Sequence, residues 1–346
     1  MDVLTIDGGQ GEGGGQVLRT TLALALATGT AVRIDGIRRK RKQPGLQRHH
    51  LGCVHAAQAV GQADVEGATV GSTALSFRPH GVRTGEHAFA AGGGGSATLV
   101  LQTVLPALLR AAAPSTLRLG GSTHDASAPT ADYAARTLLP VLAQMGAQVE
   151  LSVLRHGFGL GSGGALAVRI AAGAQLTPCE LLVRTAPQRL RARALVSQLP
   201  DDIGRRQLVE LLQRFGAARL HPEQTYLERI DADGAGNALL LEMPMQQHCE
   251  IVTAFGERGV PPEHAADVVA TEALALLAAD VPVGAYLADQ LLLPMALAGG
   301  GAFRTVEPTL HCTTNAALIE RFLPVRFAMR EEQAGSGRWR IDCAPR

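Results

Sequence analysis

Three stretches of the sequence repeat one layout, and that repetition limits the folds open to the chain more than any other feature. Gln16-Val-Leu-Arg-Thr20, Gln102-Thr-Val-Leu-Pro106 and Gln290-Leu-Leu-Leu-Pro294 each open an apolar run rich in Ala and Leu. Each run is followed by a short β-like stretch, Ala31-Val-Arg-Ile34, Thr116-Leu-Arg-Leu119 and Ala302-Phe-Arg-Thr305. Glycine clusters stand just before the first two, at 11–15 and 92–95, and Gly284 stands before the third. A strong apolar run followed by a short β stretch predicts a degenerate α/β unit used three times.

Between 185 and 275 the pattern breaks. The segment is richer in Arg and Glu, lacks the glycine openings, and has helical spacing over 208–215 and 265–274 with a strand over 238–243. The expected organisation is a large repeated domain, 1–184 plus 276–346, with a smaller α/β domain inserted at 185–275 that splits the third repeat from the first two. With 346 residues, 46% of them hydrophobic and 18% charged, the chain can bury a substantial core without disulfide or metal staples. Its five cysteines are an odd number without paired spacing, and no apolar leader precedes the first strand. Both point to a reduced, cytoplasmic setting. The most apolar stretch, 98–113, is broken by Gln102, Pro106 and Arg110, so a soluble protein without a membrane segment is expected.

A net charge of +1 neither demands nor excludes nucleic acid. The charge is locally concentrated, however: Arg38, Arg39, Lys40, Arg41 and Lys42 run together ahead of a Pro44-Gly45 turn, with Arg48, His49 and His50 beyond it. This run reads either as a solvated loop or as an anion-binding one. Lys40 and Lys42 are also the only lysines in the chain.

The opening Ile6-Asp-Gly-Gly-Gln-Gly-Glu-Gly-Gly-Gly-Gln16 lies between an expected strand and an expected helix, where backbone amides can face an anion. Gly9, Gly11 and Gly14 satisfy the dinucleotide-binding spacing, with Asp35 about twenty residues on. Glu12 inside the turn would repel a bare pyrophosphate but suits a polyphosphate carried with a divalent cation, which takes one or two carboxylates. Arg19 is then a further phosphate contact. A plain turn with an incidental Glu is the remaining alternative. No Gly-Lys-Ser/Thr loop occurs, and the Asp7-Gly8 pair is preceded by Leu4-Thr5-Ile6 rather than by a lysine nucleophile. A bound nucleotide would then meet an imidazole as the strongest nucleophile, since a histidine with a pKa of about 6.5 is mostly neutral at pH 7. Among eleven histidines, His311 stands out in Pro308-Thr-Leu-His-Cys-Thr-Thr-Asn315, a polar stretch that follows the third repeat.

Five motifs in order, Asp7-Gly-Gly-Gln-Gly-Glu-Gly-Gly-Gly-Gln-Val-Leu-Arg19, Ile37-Arg-Arg-Lys-Arg-Lys-Gln-Pro-Gly-Leu46, Thr98-Leu-Val-Leu-Gln-Thr-Val-Leu-Pro106, Tyr286-Leu-Ala-Asp-Gln290 and Glu320-Arg-Phe-Leu-Pro-Val-Arg326, closely resemble the RNA 3'-terminal phosphate cyclases. The resemblance implies an α/β (α+β) fold of three βαβαββ units, as in enolpyruvyl transferases, with a smaller inserted α/β domain. It also implies a ligase activity that converts an RNA 3'-terminal phosphate to a 2',3'-cyclic phosphate, with ATP as co-substrate and a divalent metal, Mg or Mn. The route runs through a histidyl-AMP and an adenylylated RNA end, and it releases pyrophosphate and AMP.

On this resemblance His311 is the adenylated nucleophile, Glu12 is metal-linked, and Arg19, Arg38 and Arg41 bind phosphate. Gln102 and the strip Tyr286, Leu287, Ala288, Asp289 and Gln290 bind ATP. Tyr286 is expected to stack on adenine against Pro129, and Asp289 to orient His311 or a metal-bound water. The expected partners are an RNA with a 3'-terminal phosphate and ATP, with homodimerisation left open. Two stretches depart from the family pattern: 120–130 lacks the usual Asn-Pro and a second proline, and 159–164 lacks the usual Tyr-Pro. Two other functions are carried by relatives of this fold. One is a non-catalytic role in RNA processing or ribosome assembly, against which His311 argues. The other is small-metabolite transfer of the enolpyruvyl type, which would not explain Glu12 followed by the Arg38–Arg41 cluster.

Overall fold

The computed structural model describes residues 3–159, 162–185, 189–218 and 222–346; Leu160 and Gly161 of the divergent 159–164 stretch lie outside the described residues. The first copy of the repeat runs β1 (Leu4–Asp7), α1 (Gly15–Thr28), β2 (Val32–Asp35), α2 (Arg48–Gly61), β3 (Asp64–Glu66) and β4 (Ala74–Arg78). The second runs β5 (Gly85–Ala90), α3 (Ala97–Arg110) and β6 (Ser115–Gly120). It continues through a helical stretch of α4 (Ala131–Tyr133), a π turn (Ala134–Leu138) and α5 (Leu139–Gln144), then β7 (Val149–Arg155) and β8 (Ala165–Ile170). The third copy opens with β9 (Cys179–Leu181). It is interrupted there by β10 (Arg191–Ser197), α6 (Asp201–Ala217), β11 (Gln224–Arg229), β12 (Gly236–Pro244), β13 (Cys249–Phe255) and α7 (Glu263–Ala279). It resumes with α8 (Ala285–Leu297), β14 (Gly301–Thr305), α9 (Leu310–Ile319), β15 (Val325–Glu331) and β16 (Trp339–Pro345).

Three of the sheets share one topology: β1-β2-β4-β3, β5-β6-β8-β7 and β9-β14-β16-β15. In each, the first two strands pair in parallel and the other pairings are antiparallel. A parallel pair needs a crossover connection, and the Ala/Leu runs α1, α3 and α8 supply it. The fold is therefore mixed α/β with the βαβαββ unit present three times. The interruption does not lie between the second and third copies; it falls inside the third, after a first strand of only three residues.

The fourth sheet, β11-β10-β12-β13, packs with α6 and α7 around a core of its own that includes Phe215, Leu239, Leu241, Val269 and Leu276. Helix α7 continues through 275 to Ala279, because its Ala/Leu spacing is unbroken. A single larger core unites all three repeats, with Leu22, Leu24, Leu108, Leu291, Leu292 and Phe303 among its most buried side chains. No helix among the described residues is long and apolar enough to cross a membrane.

Candidate functional site

Each of the three crossover helices brings a glutamine to one place. Gln102 of α3 donates from Nε2 to Oε1 of Gln290 on α8 at 2.8 Å, and Gln16 of α1 bonds through Oε1 to Nδ1 of His311. The repeat thus becomes one cleft of about 390 Å³, with walls formed by α1, α3, α8, the start of α9 and the 125–130 loop.

His311 stands in the first turn of α9, exposed at the cleft. The helix starts there because Thr309 caps it, its Oγ1 accepting from the Cys312 backbone N–H at 3.2 Å. The free N–H groups of that turn favour a negative group beside the imidazole. With the Gln16 carbonyl as acceptor, the imidazole proton sits on Nδ1 and the lone pair of Nε2 is left for an electrophile. Asn315, one turn on, accepts from Thr20 Oγ1 at 2.8 Å and donates to the Asp289 backbone carbonyl at 3.5 Å, which ties α9 to α1 and α8.

The glycine turn is pressed against the same helix. Gly11 holds φ +53°, and a Cβ there would come within 2.1 Å of Thr314 Oγ1, so a side chain would push the turn off α9. Beside it the Glu12 N–H donates to Thr314 Oγ1 at 3.1 Å. The Glu12 side chain is only 4% exposed. Its Oε2 pairs with Arg41, which also donates to the Glu12 carbonyl at 2.8 Å, while its Oε1 has no hydrogen-bond partner among the described residues.

The basic run divides by direction. Arg41 turns in to Glu12, and Arg38, at φ +55°, folds back to donate to the carbonyls of Gln43 at 2.7 Å and Gly45 at 3.3 Å. Arg39 pairs with Asp7 at 2.7 Å on the outside, and Lys40 and Lys42 are exposed. Burial and the neighbouring Arg41 pull the Arg38 guanidinium below its usual range, against the attraction of Glu12. Burial, followed by His49, Arg19 and Arg38, pushes His50 down to about 3. Its Nδ1 accepts from the Gln47 N–H at 3.0 Å, so it serves as a neutral cap of α2.

Arg19, Gln102, Pro129, Tyr286, Asp289, Gln290 and His311 all line the cleft. Leu287 and Ala288, expected in the same strip, are buried in the core, because consecutive residues of a helix cannot all face one side. Glu12, Arg38 and Arg41 form a separate cluster beside the glycine turn and are not among the cleft-lining residues. Gln16, Asn315 and Asp125 also line the cleft and were not singled out from sequence. Gln16 had a signal, since it opens the first of the three repeated apolar runs, although in the structure Thr20 is the residue at the helix position of Gln102 and Gln290. Ile251, Thr253 and Phe255 reach the cleft from the inserted sheet and had none.

Asp289 is a cleft carboxyl with a strongly displaced acidity. Burial pushes its carboxyl up to about 7, with Glu12 adding to the rise and Arg19 and Gln16 opposing it. A carboxyl whose folded pKa lies above its unfolded value of about 3.9 holds a proton in the folded state that the unfolded chain has lost. Its contribution to stability therefore falls as pH rises from about 4 through 7. The stability gain of Asp289→Asn over wild type, read from thermal melts without nucleotide, is expected to grow across that window and level off above it. A gain that is the same at pH 5 and pH 8 would contradict the raised acidity.

No group of three or more His, Cys, Asp or Glu side chains placed to hold a metal occurs among the described residues. Repeat fold and site together define a protein whose central cleft sets a histidine, with a free ring nitrogen, beside a glycine turn and a cluster of arginines.

Comparison with known proteins narrows that class. The sequence profile described as RNA 3'-terminal phosphate cyclase matches residues 10–329. Proteins named RNA 3'-terminal phosphate cyclase are similar along almost the whole chain. The Ralstonia nicotianae protein is 45% identical over 338 residues, covering 96% of this chain and 95% of that one. The Koribacter versatilis protein is 43% identical over 334 residues, covering 96% and 93%. The Salmonella typhimurium protein is 42% identical over 333 residues, covering 96% and 97%. The solved structure of the enolpyruvyl transferase NikO from Streptomyces tendae is similar at 14% identity and a TM-score of 0.40, covering 99% of this chain and 48% of that one. The chain belongs to the RNA 3'-terminal phosphate cyclase family.

Proposed function

We propose that the chain converts the 3'-terminal phosphate of an RNA to a 2',3'-cyclic phosphate at the expense of ATP, through an AMP carried on His311. The observation that carries this reading is the placing of His311: it stands at the start of α9 and the mouth of the cleft, its Nδ1 held by Gln16. In the first step the Nε2 lone pair attacks the α-phosphorus of ATP, a P–N bond forms, and the P–O bond to pyrophosphate breaks. In the second, an oxygen of the RNA phosphate attacks the same phosphorus and the P–N electrons return to the imidazole. In the third, the RNA 2'-hydroxyl attacks the terminal phosphorus, AMP leaves with its oxygen, and the hydroxyl proton passes to water. A terminal phosphate monoester has no good leaving group of its own, and AMP provides one.

Arg19 and the first-turn amides of α9 bind and neutralise phosphate oxygens in this scheme, and Tyr286 with Pro129 supplies flat surface for the base. A divalent ion, Mg or Mn, fits the unpartnered Oε1 of Glu12; with one carboxylate oxygen available, triphosphate oxygens and water would fill the rest of its shell. When bound, it would neutralise triphosphate charge. The test is incubation with α-labelled ATP and a divalent ion, then with a 3'-phosphorylated oligoribonucleotide. An acid-labile, alkali-stable label on the protein and a cyclic 3' end on the RNA are expected. A chain that takes no label and leaves the RNA end unchanged would overturn the reading.

A further inference from the structure

Six consecutive residues, 125–130, form one wall of the cleft. The residues on either side of it are bonded to each other. Nε2 of His124, a fully buried side chain, meets Oδ2 of Asp132 at 2.9 Å and closes the loop at its base. The second Asp132 oxygen accepts from Arg193 at 2.6 Å, and Arg193 belongs to β10, a central strand of the inserted sheet. Arg193 is itself gripped from behind: its guanidinium makes a two-point contact with Glu228 of β11 at 2.8 and 2.9 Å, and it reaches Glu242 of β12 at 3.0 Å. Glu242 pairs in turn with Arg136 in the helical stretch that follows the loop.

We propose that the chain His124–Asp132–Arg193 is a clamp through which the inserted domain sets the 125–130 wall, making Arg193 a positioning residue for nucleotide binding. A single proline, Pro129, stands in the 125–130 wall. The tie from His124 through Asp132 to Arg193 holds the base of the loop. The Pro129 carbonyl is held on the opposite side by Thr98 Oγ1 of α3 at 2.7 Å, so the wall is pinned between the second repeat and the insertion. The Asp132 carboxyl is disfavoured as an anion by burial, but the bond and charge of His124 and of Arg193 outweigh that and hold it below the usual carboxylate range. It therefore stays charged across the working pH range. Arg193 is not itself among the residues that line the cleft, so it acts on the site through what it holds.

The inference rests on the reading that the cleft holds ATP. A wall that is correctly placed only part of the time weakens apparent affinity by that fraction and leaves the chemistry of the bound state alone. Asp132→Asn and Arg193→Lys, measured in the full chain, are expected to raise the Kd for ATP about tenfold while His311 labelling at saturating ATP stays within about threefold of wild type. Arg206→Gln, which cuts the exposed Arg206–Glu263 pair elsewhere on the insertion, is the control and should change neither. Arg193→Lys keeps the charge and loses the fork, so it carries the test if Asp132→Asn melts below the assay temperature. Normal wild-type binding with an unchanged Kd in the folded variants overturns the clamp alone. A fall in labelling at saturating ATP with an unchanged Kd overturns it too. A wild-type chain that binds no ATP overturns the reading of the cleft and the clamp with it. Binding without labelling overturns the histidyl-AMP reading and leaves the clamp to be judged on Kd.

Discussion

His311→Ala is expected to take no AMP label from α-labelled ATP, a loss on the order of 10³-fold or more, while its melting temperature stays close to that of wild type. The imidazole is exposed, so its removal opens no cavity in the core. On the proposed reading the substitution removes the nucleophile. The cleft lining holds no lysine, no cysteine and no second histidine among the described residues. Lys40 and Lys42 sit exposed in the basic run, and burial raises the thiol of Cys312, the next residue along α9, to about 12, which leaves it protonated. The measurement is acid- and alkali-resolved labelling of wild type and variant side by side. Label retained in His311→Ala at a comparable level, on any residue, would sink the assignment of the nucleophile.

How far the sequence reveals this arrangement depends on the range over which each interaction acts. The repeated units are legible, because Gln16, Gln102 and Gln290 lie in the first half of apolar helices of one composition and the strands after them have the alternation of half-buried β structure. The strand β9 is not legible. Three residues carry no period, so the insertion reads as preceding the third repeat when it interrupts it. Leu287 and Ala288 show the limit of carrying a motif over as a strip, since a helix distributes five neighbours around its axis. The bonds that shape the site are the least visible. Glu12 meets Thr314 across 302 positions, and Asp132 meets Arg193 across 61, with no local pattern marking either pair. The Arg38–Lys42 run is visible as charge, but its split into inward and outward members depends on the positive φ of Arg38 and on the partners Glu12 and Asp7.

That split bears on how the two arginines divide the chemistry. Arg38→Ala is expected to slow cyclisation of a 3'-phosphorylated oligoribonucleotide by about ten- to a hundredfold and to leave His311 labelling nearly unchanged. A terminal phosphate monoester carries roughly two negative charges, each charge-assisted contact contributes about 1.5 to 3 kcal/mol, and about 1.4 kcal/mol is a factor of ten. Arg38 is bonded to carbonyls of its own loop, which fixes its position without spending its charge on a carboxylate. Arg41 differs, because it is the partner of the buried Glu12 carboxylate. Arg41→Ala should slow cyclisation by a similar factor and also lower labelling, since it strands Glu12 without its counter-charge beside the glycine turn. Glu12→Gln should lower labelling as well and flatten its dependence on divalent ion. In the Glu12→Gln background, removing Arg41 should cost labelling little more, because the pair is already broken. Arg39→Gln, on the outer side of the run, should weaken attraction to the RNA backbone in a salt-sensitive way and leave labelling intact. The assays are His311 labelling and RNA cyclisation, scored separately for each variant. If Arg38→Ala and Arg41→Ala abolish both steps equally, the two arginines serve the ATP half of the site, and the division of the pocket into nucleotide and RNA halves falls.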